Sequence, residues 1–204
     1  RRPLTPSESN RLMAALQQAR MACNAAGLVD KETQGAPKLD EVARLLEELC
    51  LQSNHKVVIF SQWVLMTEMV EAVVRSLGLG CVRLYGGIPT SKRGALMDKF
   101  QHDDAIQVFI STDAGGTGLN LQAGSALINL DMPWNPAVLD QRIARIHRLG
   151  QQVQVQVFIL LAEVIQKFLP VLAPDLYLFV DIQFNSKGEF KKVVCPPIKS
   201  ESLA

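Results

Sequence analysis

Short apolar runs of β-branched and aromatic residues recur through the middle of the chain, most of them followed by a segment with helical spacing. No other feature limits the fold as strongly. KVVIFS (Lys56–Ser61), CVRLY (Cys81–Tyr85), QVFIS (Gln107–Ser111), ALINLD (Ala126–Asp131) and QVQVQVFILL (Gln152–Leu161) have the texture of strands, the first typical of one covered on both faces. Between the first two, Met66, Met69, Val70, Val73, Val74 and Leu77 recur at three- and four-residue spacing, an amphipathic helix that closes near Gly78. Further helices are expected from about Ser91 to Gln101 and from Pro136 to Leu149, where Pro136 suits a first helical turn. Strand and helix alternating in units of about 20 to 30 residues imply an α/β fold, a mainly parallel sheet with helices on both faces.

The flanks differ from this middle. Arg11–Met21 and Leu39–Leu51 are rich in helix formers and are separated by Ala36-Pro37-Lys38, so residues 1–52 are expected to be lead-in helices. Residues 53–162 then form the main lobe. Beyond Glu163 the alternation breaks: Pro170 and Pro174 are followed by LYLFVDIQF, the turn Asn185-Ser186-Lys187-Gly188 and EFKKVV. Residues 163–204 are therefore expected to be a divergent segment with a β-hairpin and a loose tail.

Charge alone selects no partner. With 21 Lys+Arg against 20 Asp+Glu among 204 residues, affinity for a polyanion must come from local placement of basic groups. The four cysteines, Cys23, Cys50, Cys81 and Cys195, lie far apart with no C-x-x-C, which argues against a zinc ribbon or a disulfide scaffold and for a reducing compartment. No apolar run approaches the ~20 residues that cross a bilayer, and RRPLTPSESN lacks the apolar core of a signal peptide. A cytoplasmic, nucleoid or nuclear protein with no membrane partner is expected. A start at Arg1 without an initiator methionine is what a domain within a longer chain would have.

In open parallel sheets ligands bind beyond the carboxyl ends of the strands. Hydroxyls, amides and glycines accumulate there: Ser61-Gln62-Trp63, Gly86-Gly87, Ser111 to Gly118, and Met132 to Pro136. Gly115, Gly116 and Gly118 allow close backbone approach to a ligand, and Ser111 and Thr112 can donate to phosphate oxygens; a tight strand-to-helix connection would need the same residues. The helix after Pro136 is more specific. At roughly 100° per residue, Gln141, Arg145 and Arg148 fall in one stripe opposite Leu139, Ile143 and Ile146. Two guanidiniums on one stripe can reach one phosphate, although a solvated basic face has the same pattern. No G-x-x-x-x-G-K-[ST] loop and no acidic strand-end motif for magnesium is present, and no metal ligands are assigned, so the chain cannot be a complete NTPase.

These segments together resemble the second RecA-like lobe of the Swi/Snf-type helicase-related ATPases of helicase superfamily two. The resemblance covers about Leu12 to Leu161. VVIFSQW (Val57–Trp63) is similar to motif IV, LYGGIPTSKRGALMDKFQ (Leu84–Gln101) to the block after it, and STDAGGTGLNLQAG (Ser111–Gly124) to motif V. DMPWNP (Asp131–Pro136) with QRIARIHRLGQ (Gln141–Gln151) is similar to motif VI, and the lead-in segments also fit. The resemblance implies a RecA-like three-layer sandwich with a C-terminal appendage, one lobe of a DNA-dependent ATPase that tracks along duplex DNA.

By that resemblance Arg145 and Arg148 are arginine fingers, with Gln141, Gly116, Gly118 and Asn120 beside the nucleotide. Ser61, Gln62, Arg93, Ser111, Thr112 and Trp134 match positions facing double-stranded DNA. ATP and Mg2+ would be held mainly by a P-loop lobe of the same full-length protein, so the isolated chain is expected to be inactive. A protein target of remodelling is a further implied partner. Two departures stand out. FILLAEVIQKFLPVLAP lacks the glycine and acidic pair of the family's bracing helix, and Asp113 stands in motif V where many relatives carry a basic or neutral residue. Two other readings remain open on sequence: an RNA helicase lobe, disfavoured by the ending His147-Arg148-Leu149-Gly150-Gln151, and a RecA-like docking module without motor function.

Overall fold

A computed structural model describes residues 2–33, 36–115, 118–148, 151, 153–161, 181–184 and 190–195. The expected strands are present as β1 (Val57–Ser61), β2 (Gly80–Leu84), β3 (Ile106–Thr112), β4 (Ala126–Asn129) and β5 (Val155–Ile159). They pair in parallel in the order β2-β3-β1-β4-β5. Two further strands, β6 (Asp181–Phe184) and β7 (Phe190–Cys195), are antiparallel to each other, and β7 extends the sheet by pairing with β5. The hairpin expected after residue 163 is thus joined to the sheet through its backbone; its turn and the expected loose tail lie outside the described residues, as does most of the divergent stretch after Leu161.

Six helices complete the described residues: α1 (Pro6–Ala22), α2 (Gly27–Asp30), α3 (Pro37–Leu46), α4 (Val64–Ser76), α5 (Thr90–His102) and α6 (Pro136–Ile143). A wider π-type turn, Glu47–Gln52, continues α3. Alternate side chains of the strands enter opposite layers, as the two-residue period of a strand requires. Val57, Ile59, Val108, Ile110 and Ile128 pack with Val42 and Leu46 of α3 and Met66 and Val70 of α4. Val58, Phe60, Phe109 and Leu127 face the other way, onto Phe100 of α5 and Leu139 of α6. Two apolar layers around one mainly parallel sheet make the three-layer α/β sandwich that the alternation predicts.

Two helices differ from expectation. The first begins earlier, at Pro6, because Thr5 and Glu8 form a reciprocal capping box: the Glu8 amide donates to Thr5 Oγ1 at 3.3 Å and the Thr5 amide to Glu8 Oε2 at 2.9 Å. The sixth ends at Ile143 rather than Leu149, and residues 144–146 continue as turns. Past Ile143 the chain tightens: the Arg145 and Ile146 amides donate three residues back, to the Arg142 and Ile143 carbonyls at 3.2 and 3.1 Å. The Arg145 carbonyl, which a longer helix would use internally, accepts instead from the Leu121 amide at 2.9 Å.

Candidate nucleotide and nucleic-acid interface

The carboxyl ends of β1, β3 and β4 bring Ser61, Thr112 and Asp131 to one edge of the sheet, and α6 leaves from the same edge. Its Asn135 cap accepts from the Ala137 amide at 3.0 Å, with Pro136 in the first turn. The centre of the edge is Arg142, which is 3 % exposed. Its Nε donates to Asp113 Oδ1 at 2.6 Å, and Nη2 donates to Asp113 Oδ2 at 2.8 Å and Asp131 Oδ1 at 3.1 Å. Nη1 donates to the Asp131 carbonyl at 3.0 Å and Asn129 Oδ1 at 3.3 Å. All five N–H groups of a guanidinium are therefore used. Burial disfavours its charged form, but the bonds and attractions to Asp113 and Asp131 outweigh that, and the pKa of Arg142 is raised.

Asp131 carries the network to the next strand. Its Oδ2 accepts from Ser61 Oγ at 2.7 Å and the Gln62 amide at 2.8 Å, and its Oδ1 also accepts from Gln62 Nε2 at 3.1 Å. Two cations from the lead-in helices reach the same corner. The Lys38 ammonium donates to Asn24 Oδ1 at 2.7 Å and to the Leu130 and Leu160 carbonyls at 2.6 Å each. Burial pushes it down to about 8, against the pull of Asp131. Arg20 donates to the Met132 carbonyl and lies over the rings of Trp134 (4.4 Å) and Trp63 (5.7 Å). Arg20, Lys38 and Arg142 against Asp113 and Asp131 leave this corner one positive charge in excess, a local surplus inside a nearly neutral chain.

The expected site residues sort by burial. Arg145 and Arg148 are half-buried, and among the described residues neither has a carboxylate in ion-pair range; Arg148 Nε donates to the Ala144 carbonyl at 2.8 Å. Gln141, Gly118 and Asn120 are exposed, and Gly118 has φ +75°, a conformation that favours glycine. Gly116 and Gly150 lie outside the described residues. Trp134 is 54 % exposed and Gln62 is half-buried. Ser61, Ser111 and Thr112 are buried: Ser61 binds Asp131, Ser111 Oγ donates to the Thr112 carbonyl at 3.0 Å, and Thr112 Oγ1 accepts from the Gly115 amide at 3.3 Å. Arg93 is turned onto backbone, donating to the carbonyls of Ile88 at 3.1 Å and of Gly115 and Gly86 at 3.5 Å. Gly115 lies so close to β2 that a Cβ there would meet the Leu84 carbonyl oxygen at 2.8 Å.

Sequence reasoning missed Arg142, Arg20 and Lys38. Arg142 carried a signal: at roughly 100° per residue it falls about 60° from Leu139, on the apolar side of α6, where an arginine needs carboxylates. Arg20 and Lys38 carried none, because the backbone carbonyls that they bind on the sheet edge lie 92 to 122 residues away along the chain.

Comparison with known proteins gives the chain a family. Residues 38–150 match the family model described as the helicase conserved C-terminal domain. An uncharacterized ATP-dependent helicase of Bacillus subtilis (strain 168), YqhH, is 36% identical over 130 residues, covering 64% of this chain and 22% of that protein. A Drosophila melanogaster homologue of the SWI/SNF-related, matrix-associated, actin-dependent regulator of chromatin, subfamily A containing DEAD/H box 1, is 37% identical over 145 residues, 70% of this chain and 17% of its own length. The chain thus spans less than a quarter of either relative. Among solved structures, the C-terminal part of the Fun30 ATPase domain aligns with TM-score 0.63 and 29% identity, over 78% of this chain and 54% of that one. The Sulfolobus solfataricus SWI2/SNF2 ATPase core in complex with double-stranded DNA shares the fold at TM-score 0.72 and 24% identity, over 84% and 38% of the two chains. The chain belongs to the helicase conserved C-terminal domain family, and its relatives by sequence and structure are Swi/Snf-type ATPases.

Proposed function

We propose that this chain is the C-terminal lobe of a motor that uses ATP to translocate on double-stranded DNA and to remodel what is bound there. The observation that carries this reading is the division of labour among the arginines of one short segment. Arg142 is consumed by carboxylates, whereas Arg145 and Arg148 have none among the described residues, and the Arg145 carbonyl is tied to the Leu121 amide, next to the exposed Asn120. Such guanidiniums stay charged and can clamp phosphoryl oxygens in pairs, which stabilises charge as a γ-phosphate departs.

The nucleotide and its Mg2+ would be held mainly by a P-loop lobe of the same full-length protein. Asp113 and Asp131 are both ion-paired to Arg142, so they are not open magnesium ligands. When bound, ATP supplies the phosphoryl group whose transfer to water drives lobe movement. Arg145 and Arg148 would reach that group across the cleft, with Gln141, Gly116, Gly118 and Asn120 against the nucleotide. On the DNA side, Trp134 and Gln62 offer accessible groups, while Ser61, Ser111, Thr112 and Arg93 hold the surface from beneath. The family relationship and the DNA complex of the Sulfolobus relative support duplex DNA as the track. Contacts of this kind go mostly to phosphates, so binding should be weakly sequence-specific and weaken steeply with salt.

The test is ATP hydrolysis by the lobe joined to its P-loop partner, with duplex DNA or RNA added. Duplex DNA should stimulate more than RNA, and Arg145→Ala or Arg148→Ala should lower the stimulated rate by about a thousandfold, the low end for loss of an arginine finger. An unchanged rate in both variants would remove the finger assignment, and stimulation by RNA alone would reassign the track.

A further inference from the structure

Asp113 looks unfavourable where it stands. It lies one residue beyond β3, in the segment that the proposed function turns towards DNA, and a carboxylate there repels phosphate. The structure supplies a reason for it. Asp113 accepts both Nε and Nη2 of Arg142, at 2.6 and 2.8 Å, in a parallel two-bond fork. The side chain of Arg142 is 2% exposed and that of Asp113 is 34%, so the pair runs from the rim of the edge into its interior.

The same loop is fastened again at its far end. The Leu121 amide donates to the Arg145 carbonyl at 2.9 Å, and Gln151 Nε2 donates to the Gln122 carbonyl at 3.1 Å. The connection from Asp113 to Gln122 is thus pinned at both ends to residues 142–151, the segment that carries Arg145 and Arg148. Between the two fastenings, Gly118 adopts positive φ and Gly118 and Asn120 are exposed. A displacement of the loop at Asp113 can reach the finger segment through rigid, directional bonds, without passing through the apolar core.

We propose that the Asp113–Arg142 pair is a positioning element that couples the DNA-side end of this loop, where Asp113 follows Thr112, to the arginine-bearing segment, so that duplex DNA sets the geometry of Arg145 and Arg148. This rests on the motor reading above. Neither residue touches nucleotide or DNA in this role; Asp113 acts through Arg142, and Arg142 through the turn that follows α6.

The experiment is steady-state ATP hydrolysis by the full-length protein with Asp113→Asn, Asp113→Glu and the parent, across a titration of duplex DNA. Bare electrostatics and coupling predict opposite signs. Removing a negative charge near DNA should tighten DNA binding and, if Asp113 only repels, preserve or raise the stimulated rate. If the pair positions the fingers, Asp113→Asn lowers the DNA-stimulated kcat by about tenfold, within the usual span of coupling between sites, while half-saturation by DNA stays the same or improves and KM for ATP moves less than about twofold. Asp113→Glu, which keeps a carboxylate for the fork, restores most of the stimulation.

A stimulated parent whose Asn variant is stimulated equally overturns the coupling alone. Equal loss of unstimulated and stimulated hydrolysis in the Asn variant also overturns it, since that is the signature of a merely structural pair. A parent that duplex DNA does not stimulate removes the functional reading, and the coupling with it.

Discussion

The two ends of the parallel strands are built from different materials. At the amino ends, polar groups are met mainly by backbone carbonyls and a few side-chain contacts. The Ser125 amide donates to the Lys56 carbonyl at 2.9 Å, His55 Nδ1 and Ser125 Oγ are 2.6 Å apart, and the Lys56 ammonium sits on the last carbonyls around α5, Phe100 at 2.7 Å and Asp103 at 3.0 Å. At the carboxyl ends, Asp131 and Arg142 are both almost fully buried and bonded to each other, with Lys38 and Arg20 nearby. Burying ions costs several kcal/mol apiece unless partners are well placed. One end therefore closes the sandwich cheaply, and the other keeps a demanding charged arrangement where the expected site residues gather.

Removing one partner at each end should expose this difference. Asp131→Ala should be the most damaging, because it takes one of two carboxylates from a buried guanidinium and leaves Ser61 Oγ and the Gln62 amide without their acceptor. A loss of about 4 kcal/mol in urea unfolding is expected, as for breaking a buried ion pair. A loss below about 1 kcal/mol would mean that water solvates the corner freely. Lys38→Met, which leaves the Leu130 and Leu160 carbonyls without their donor, should cost about 2 kcal/mol by the same measurement. It should also loosen α1 to α3 from the sheet, seen as faster amide exchange in those helices. Lys56→Met at the opposite end should cost only about 1 kcal/mol, the scale of a cation at a helix terminus, and should respond to salt. If Lys56→Met proved as costly as Asp131→Ala, the contrast between the two ends would collapse.

How much of this was legible before the structure differs by element. The five parallel strands were, because each is a short run rich in β-branched and aromatic residues, and the two-layer division of Val57 and Ile59 from Val58 and Phe60 follows from strand geometry alone. The extent of α6 was not, because past Ile143 the chain tightens into turns and ties the Arg145 carbonyl to Leu121 of another loop, a contact that spacing does not show. The edge was half legible. Helical spacing correctly set Leu139 and Ile146 against Gln141, yet the same spacing, applied to Arg142, would have placed a charged group in the core and called for its carboxylates. Asp113, the departure from motif V, is matched in charge by Arg142, a partner that the motif does not reveal. Ser61, Ser111 and Thr112 show the limit of motif matching, since a hydroxyl at a strand end can serve a neighbouring carboxylate or carbonyl as readily as a ligand.

One consequence lies in the first helix. Its 17 residues bury no side chain, Leu12, Met13 and Leu16 are exposed, and its hold on the sheet edge is near its last turn, where Arg20 rests between Trp63 and Trp134. At 1.5 Å per residue, α1 is a rod of about 25 Å that meets the sheet edge near its last turn. A swing of about 10° at the two tryptophans would carry Pro6 through about 4 Å over that length. Geometrically, α1 is a lever arm on the two tryptophans: a tilt at the carboxyl edge becomes a larger displacement at Pro6.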